Sequence, residues 1–390
     1  MSINIANKYN TETKYDMQLS NFIAAYFLVQ ALNLFVKLVI GSFYGWDYIT
    51  RGILIIFLVF CIVPIIRRGL IGAIIVELAL IGLFSYTLVS GGIVFSENSS
   101  IIVNSVTVFM PMAICVFLIR DKQILLNRLY YLSWPSQFLL IAVLLSMNNV
   151  SYSMIGGYSL VFQLLIVFDR FLLNHKWYDL IMVIIDAFFI AVFGSRGPIL
   201  CIGAMILLYL LFSHKLSLVK KTLIIVAVVL GIVILYSNIN NIVNSFVSLL
   251  RIAGFQSRSV RLLSQNLFNQ DSGRSALYSY YIQMVSNRPV FGFGLAGGWL
   301  SAGEYPHQLF IEFLVSFGIV FGLIACVIVV ALMFRAILSK DEIIQRLSII
   351  LVSYCICLFL SDSFVLCPIF YMMVAVGLSS LRIRFTLQNV

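Results

Sequence analysis

The chain has 390 residues, of which 62% are hydrophobic and only 10% charged, well under half the charge of a soluble domain. Those numbers exclude a water-soluble globule, which could not cover its surface, and equally a disordered chain, which needs low hydrophobicity and high charge. The remaining class is a polytopic membrane protein, in which the net charge of +10 reflects loop topology rather than a nucleic-acid partner.

At about 20 residues per span, the apolar content suffices for about a dozen helices. Twelve apolar runs are predicted, at 21–40, 53–66, 70–90, 101–119, 129–147, 157–173, 178–194, 197–212, 219–236, 308–334, 347–361 and 364–380. The first follows a polar stretch and is too long and too late for the apolar core of a cleavable signal. With the N-terminus inside, sixteen Lys and Arg fall on inside segments, from Lys8 and Lys14 to Arg382 and Arg384. Only Arg51 and Arg196 fall on short outside loops. The opposite orientation reverses this bias, so both termini are expected on the cytoplasmic side. Intramembrane Glu77 and Asp186 are expected to be hydrogen-bonded or ion-paired, since isolated charge at that depth is costly.

Three segments result: helices one to nine over 1–236, an outer loop over 237–307, and helices ten to twelve over 308–390. The outer loop breaks the charge pattern, with Arg251, Arg258, Arg261, Arg274 and Arg288 against only Asp271 and Glu304. Its composition is not that of a disordered linker. Ile242, Phe246, Leu249, Leu250 and Ala253 recur at helical spacing. Ser275–Asn287 also reads as a helix, with Ser272 placed to cap it and Pro289 to stop it. Both are expected to lie along the outer membrane surface. No internal repeat is visible, which disfavours an inverted-repeat transporter.

Three outward segments concentrate polar chemistry. Gly194-Ser195-Arg196-Gly197-Pro198 is a turn that holds an arginine beside a helix N-terminus, where backbone N–H groups and guanidinium together favour phosphate. Taken alone it is better read as an arginine snorkelling to headgroups. Ser272-Gly273-Arg274-Ser275 repeats that arrangement at the start of the loop helix. The third runs from Gly292-Phe293-Gly294 through Gly297-Gly298 to Tyr305-Pro306-His307-Gln308, with Glu312 one turn into the next span. Its glycines permit close backbone approach, but no Walker lysine follows, so an NTPase is rejected. His307 stands at the mouth of a span on the arginine face, where an imidazole of near-neutral pKa suits a general base. Cys61, Cys115, Cys201, Cys326, Cys355, Cys357 and Cys367 show no metal or disulfide spacing, so no metal site and no cofactor is expected.

Arg196 in a Ser-Arg-Gly turn, Gly273-Arg274 opening the loop helix, Arg288-Pro289 before Gly-x-Gly, and Pro306-His307 entering a span with Glu312, Gly318 and Gly322 together resemble the O-antigen ligase and polymerase superfamily. The resemblance covers about residues 185–335. His307-Gln308 stands where the family often has His-Asn. The resemblance implies an all-α polytopic fold of the GT-C-like kind, with about twelve spans and one long helical outer loop. It implies glycosyl transfer on the outer face of a bacterial plasma membrane, from a glycan on polyprenyl diphosphate to a sugar hydroxyl.

The expected activity is repeat-unit polymerisation for O-antigen, capsule or exopolysaccharide, by metal-independent inverting transfer. Arg196 and Arg274 would bind diphosphate with help from Arg288, and His307 would be the base. Gly194, Ser195, Gly197, Gln308 and Glu312 would support them. Expected partners are lipid-linked oligosaccharides, membrane lipid and a chain-length-regulating co-polymerase, with no nucleic acid. A ligase acting on lipid A-core is the alternative of the same chemistry. A flippase or transporter, and an assembly protein whose loop arginines touch anionic lipid, are those of other classes.

Overall fold

The computed structural model describes residues 2–41, 45–91, 95–146, 154–193, 196–212 and 274–387, with isolated positions 219, 222, 245 and 248. The predicted run at 219–236 and the Ile242–Ala253 stripe fall outside this set, apart from those positions. Among the described residues the structure is all helical, with no strand. The first eight helices are α1 (Ser2–Phe35, continued by a π turn Val36–Gly41), α2 (Trp46–Gly91), α3 (Phe95–Asn104), α4 (Met110–Leu118), α5 (Lys122–Ser146), α6 (Met154–Asn174), α7 (Trp177–Phe193) and α8 (Arg196–Phe212). Past the undescribed region come α9 (Arg274–Asn287), α10 (Gly297–Ala302), α11 (Leu309–Ile337), α12 (Glu342–Cys355, extended by a 3₁₀ turn Ile356–Phe359) and α13 (Pro368–Leu387).

Seven helical stretches are long and apolar enough to cross a membrane, and Gly197–Phe212 and Pro368–Leu381 are shorter apolar helices. The chain is thus a multi-pass α-helical protein. The expected count of twelve differs because length and hydropathy alone select fewer stretches. One of these, Tyr48–Val89, holds two predicted runs end to end. The helix breaks between them at Gly69, next to Arg67 and Arg68.

The helices bury one side and leave the other apolar. Ile55, Ile56, Val59, Phe60, Ile71, Ile75 and Leu78 of α2 are exposed, as a lipid-facing surface requires where no water competes for backbone hydrogen bonds. Inside, polar groups are paired across helices. Arg346 of α12 donates from Nε and Nη2 to Asp169 of α6 at 3.1 and 2.5 Å, both side chains buried. Gln137 of α5 donates to Asp186 of α7 at 2.6 Å, so the expected hydrogen bond is present, with an amide as partner. Arg68 reaches Glu12 and Asp16 of α1 at 2.5 Å each. Glu77 Oε2, by contrast, is buried without a hydrogen-bond partner among the described residues.

Candidate functional site

The local scaffold begins at a break in α11. Gly318 there takes φ 77°, ψ 179°, a conformation open essentially only to glycine. A helix break orphans backbone carbonyls and N–H groups. The segment between α9 and α10 satisfies them: Phe293 N donates to Val315 O and Gly294 N to Ser316 O, both at 2.8 Å, and Ile319 N donates to Pro289 O at 2.7 Å. This backbone-on-backbone docking explains the glycines. Gly292 and Gly294 have φ of 65° and 82°. A Cβ on Gly292 would lie 2.5 Å from Val315 O, and one on Gly294 would lie 2.8 Å from Thr87 Cα of α2. The Gly-x-Gly motif is therefore a helix-docking device, with its N–H groups already used. α9 packs on the same helix through Tyr281, Met284, Val285 and Val315. It begins at Arg274 and ends at Asn287, close to the bounds predicted from its cap and stop signals.

His307 is delivered by this scaffold. It follows Pro306 and has φ 53°, uncommon for a residue with a Cβ and shared here with His175 and Ala296. Gln308 then caps α11, its Oε1 accepting from Ile311 N at 2.6 Å. That capping bond is what the amide after the histidine does. The Tyr305 ring packs edge-on against the imidazole at 4.4 Å and against Trp299 at 5.5 Å. Tyr305 Oη donates to Ser361 O at 3.2 Å, and Tyr281 Oη to Glu304 O. His307 Nε2 lies 3.8 Å from Glu304 Oε1, and Nδ1 is buried with no well-aligned hydrogen bond. The side chain is 17% exposed, so it is shielded yet reachable. Burial lowers its pKa from the usual histidine value, and the positive charge of Arg274 lowers it further. The Ser361 carbonyl and Glu304 oppose this without cancelling it. These influences favour the neutral imidazole, the form able to accept a proton.

Ser361 is the meeting point of the other elements. Its hydroxyl is bonded to Tyr158 Oη of α6. A Cβ on Gly197, the second residue of α8, would collide with Tyr158 Oη and reach 3.4 Å from Ser361 Oγ. The Arg196-Gly197 turn and His307 thus have Ser361 as a common neighbour. The structure brings together His307, Arg274 and the backbone of Arg196. Gly194, Ser195 and the Arg196 side chain lie outside what is described. Arg288 is placed differently: its guanidinium carbon sits 4.6 Å from the centre of the Phe293 ring, against the docked glycine segment, and it is not among the groups acting on His307.

Glu312 is buried in α11, where its carboxylate accepts from Ser363 Oγ and from Phe364 N at 3.2 Å. It ties the 361–364 turn to α11 rather than touching His307. That turn carries Asp362, which the sequence presents only as the residue parting two apolar runs. Its neighbours in space, Tyr305 and Tyr158, are remote in sequence, so only the adjacency of a carboxylate to a span end could have flagged it. Asp362 Oδ1 accepts from Ser363 N at 2.8 Å, and burial pushes its pKa up to about 6.

A cavity of about 290 Å³ opens beside this turn, lined by Tyr26, Gln30, Tyr158, Gln163, Tyr305 and Asp362 among others. Cys357, Asp362 and Cys367 also place their ligand atoms within 4.8 Å of one another, although their sequence spacing is not that of a metal motif. The Cys357 thiol donates to Asp362 Oδ2 at 3.8 Å. All seven cysteines are buried and free.

Residues 181–326 match the family model described as O-antigen ligase. The match runs from α7 into α11 and contains Arg196, Arg274, Arg288, His307 and Glu312. None of the curated proteins matches the chain. Over this region, which is under half of the chain, the resemblance drawn from the sequence is borne out: the chain is similar there to the O-antigen ligase family.

Proposed function

We propose that the chain is a polymerase that joins oligosaccharide repeat units carried on polyprenyl diphosphate, at the outer face of a bacterial plasma membrane. The observation that carries this reading is the environment of His307: a neutral imidazole at a span entry, with the charge of Arg274 acting on it and the α8 turn of Arg196 next to its neighbour Ser361.

In the proposed reaction His307 removes the proton from an acceptor sugar hydroxyl. The oxygen forms a bond to the anomeric carbon of the donor as the bond from that carbon to the diphosphate oxygen breaks. The bonding pair leaves with the diphosphate. Arg274 and Arg196 stabilise the negative charge that develops there by charge-assisted hydrogen bonds, as a metal ion otherwise would. One displacement inverts the anomeric centre. Retention would require a carboxylate nucleophile, and Glu312 is occupied with Ser363 and Phe364. Arg288, stacked on Phe293, steadies the glycine segment. A chain-length-regulating co-polymerase is the protein partner this activity implies.

The description of the matched family favours a second reading, transfer of the finished glycan to lipid A-core. Both use the same donor and the same residues. Purified protein in lipid nanodiscs, given defined lipid-diphosphate repeat units, separates them. A ladder of glycan lengths supports the polymerase. Transfer once, and only to lipid A-core, supports the ligase and refutes the polymerase. No product with either acceptor refutes both.

A further inference from the structure

The cavity next to Asp362 contains more hydrogen-bonding capacity than the protein uses. It lies between α1, α6, the end of α12 and the 361–369 segment. The hydroxyls of Tyr26 and Tyr354, the amide of Gln30 and the hydroxyl of Ser159 all line it, and none makes a hydrogen bond to a described residue. They are also absent from the sealed unpaired atoms of the structure, so they remain open to the cavity. Gln163 Oε1 accepts from Ser133 Oγ at 2.8 Å, which leaves its two N–H donors for the cavity side. Polar atoms left unpaired in a membrane-embedded interior are costly, so a concentration of them around one space implies a polar occupant. Apolar chain or lipid tail cannot satisfy them. The walls between these groups are aromatic: Phe27, Tyr158, Phe162 and Tyr305. Alternating ring faces and fixed polar groups match a sugar ring, whose C–H faces pack on aromatics while its hydroxyls both donate and accept. The volume of about 290 Å³ lies at the lower end for ligand pockets, enough for a terminal sugar rather than a whole repeat unit.

Two sugars meet at a glycosyl-transfer site, and position selects between them. The Tyr305 side of the cavity adjoins His307 through the 4.4 Å ring contact. The base must touch the acceptor hydroxyl, whereas Arg274 and the Arg196 turn serve the diphosphate of the donor. We infer that the cavity lined by Tyr26, Gln30, Ser159, Gln163, Tyr354 and Asp362 is the acceptor subsite, which seats the terminal sugar of the growing or receiving glycan with one hydroxyl presented to His307. This rests on the proposed glycosyl transfer and adds to it which substrate is read here and by which residues.

Gln30→Leu and Ser159→Leu test it. Each removes one hydrogen-bonding group and keeps α1 or α6 helical. In steady-state transfer with separately varied donor and acceptor, each is expected to raise the acceptor KM about tenfold, the size of one lost polar contact, and to leave the donor KM unchanged. An unchanged acceptor KM, or a rise in the donor KM instead, overturns the assignment. A readout independent of turnover uses Ser159→Cys, alkylated by a small polar thiol reagent. Free acceptor oligosaccharide is expected to slow that alkylation, and polyprenyl diphosphate alone is not. Absence of protection by the oligosaccharide overturns the subsite even if the leucine variants fail to fold. Oligosaccharide protection of Ser159→Cys, together with wild-type protein that transfers no glycan, refutes the glycosyl-transfer reading and leaves the binding site standing.

Discussion

Replacing Gly318 by alanine should undock the glycine segment from α11. The added Cβ would meet the Val290 carbonyl, with Val290 C at 2.5 Å and Pro289 O at 2.7 Å. These are backbone atoms on a segment itself held by hydrogen bonds, so neither can yield by a rotamer change. The φ of 77° and ψ of 179° add about 1–3 kcal/mol of backbone strain for a residue with a Cβ. Relief requires the 289–294 segment to withdraw and gives up the bonds to Val315 O, Ser316 O and Ile319 N, each worth about 0.5–1.5 kcal/mol net. The strain and the clash both push toward undocking, against about 1.5–4.5 kcal/mol for the three bonds given up; because the clash is with backbone that cannot move in place, the undocked state should win, and His307 and Tyr305 lie on the stretch that the docking positions. Hydrogen exchange of purified protein should show lost protection at Phe293, Gly294 and Ile319, with protection in α5 and α6 retained, and transfer activity should fall with it. Gly203→Ala is the control, because its Cβ meets nothing within 4 Å and alanine favours a helix interior. If Gly318→Ala keeps exchange protection and activity at the level of Gly203→Ala, the docking is not limited by backbone contact and the account of the glycine motif fails.

Further outcomes are expected. His307→Ala should lower kcat by about 10²–10⁴-fold with donor binding retained; wild-type turnover by that variant removes the base. Because the His307 pKa is depressed below the usual histidine value, kcat/KM should rise with pH through that depressed pKa and be level at pH 7. Arg274→Gln removes a charge that lowers the pKa, so the rising limb should move to higher pH; a shift to lower pH contradicts the electrostatics. Arg196→Ala and Arg274→Ala should each cost about 10²–10³-fold in kcat, as for loss of one charge-stabilising donor, and EDTA should have no effect; activity lost to EDTA and restored by a divalent ion refutes the metal-free mechanism. Asp169→Ala leaves Arg346 buried and unpaired and should cost about 3–5 kcal/mol of stability, read as a large fall in Tm in detergent, with Asp169→Ala/Arg346→Met recovering much of it.

The membrane class and the loop helix at 274–287 were determined by the sequence by itself, and His307, Arg196 and Arg274 were proposed from it as candidate chemistry-bearing groups. These properties are local: apolar run length, capping and stop signals, and the rarity of polar groups at span ends are written in consecutive residues. The roles of Gln308 and Glu312 were only half legible. Both are polar residues at a helix entry, but whether such a residue caps, ties or reacts depends on its neighbour in space. For Gln308 that neighbour is Ile311 N, and for Glu312 it is the Ser363-Phe364 turn fifty residues on. Only the tertiary structure decided that the Gly-x-Gly segment serves a break in α11, that Arg288 stacks on Phe293, and that Asp362 and Ser361 stand beside Tyr305 and the α8 turn. The physical reason is common to all three. A backbone group or carboxylate in a membrane interior must find a partner, and the partner is selected by helix packing between segments remote in sequence. Hydropathy reports how deep a residue lies and is silent about which helix lies beside it.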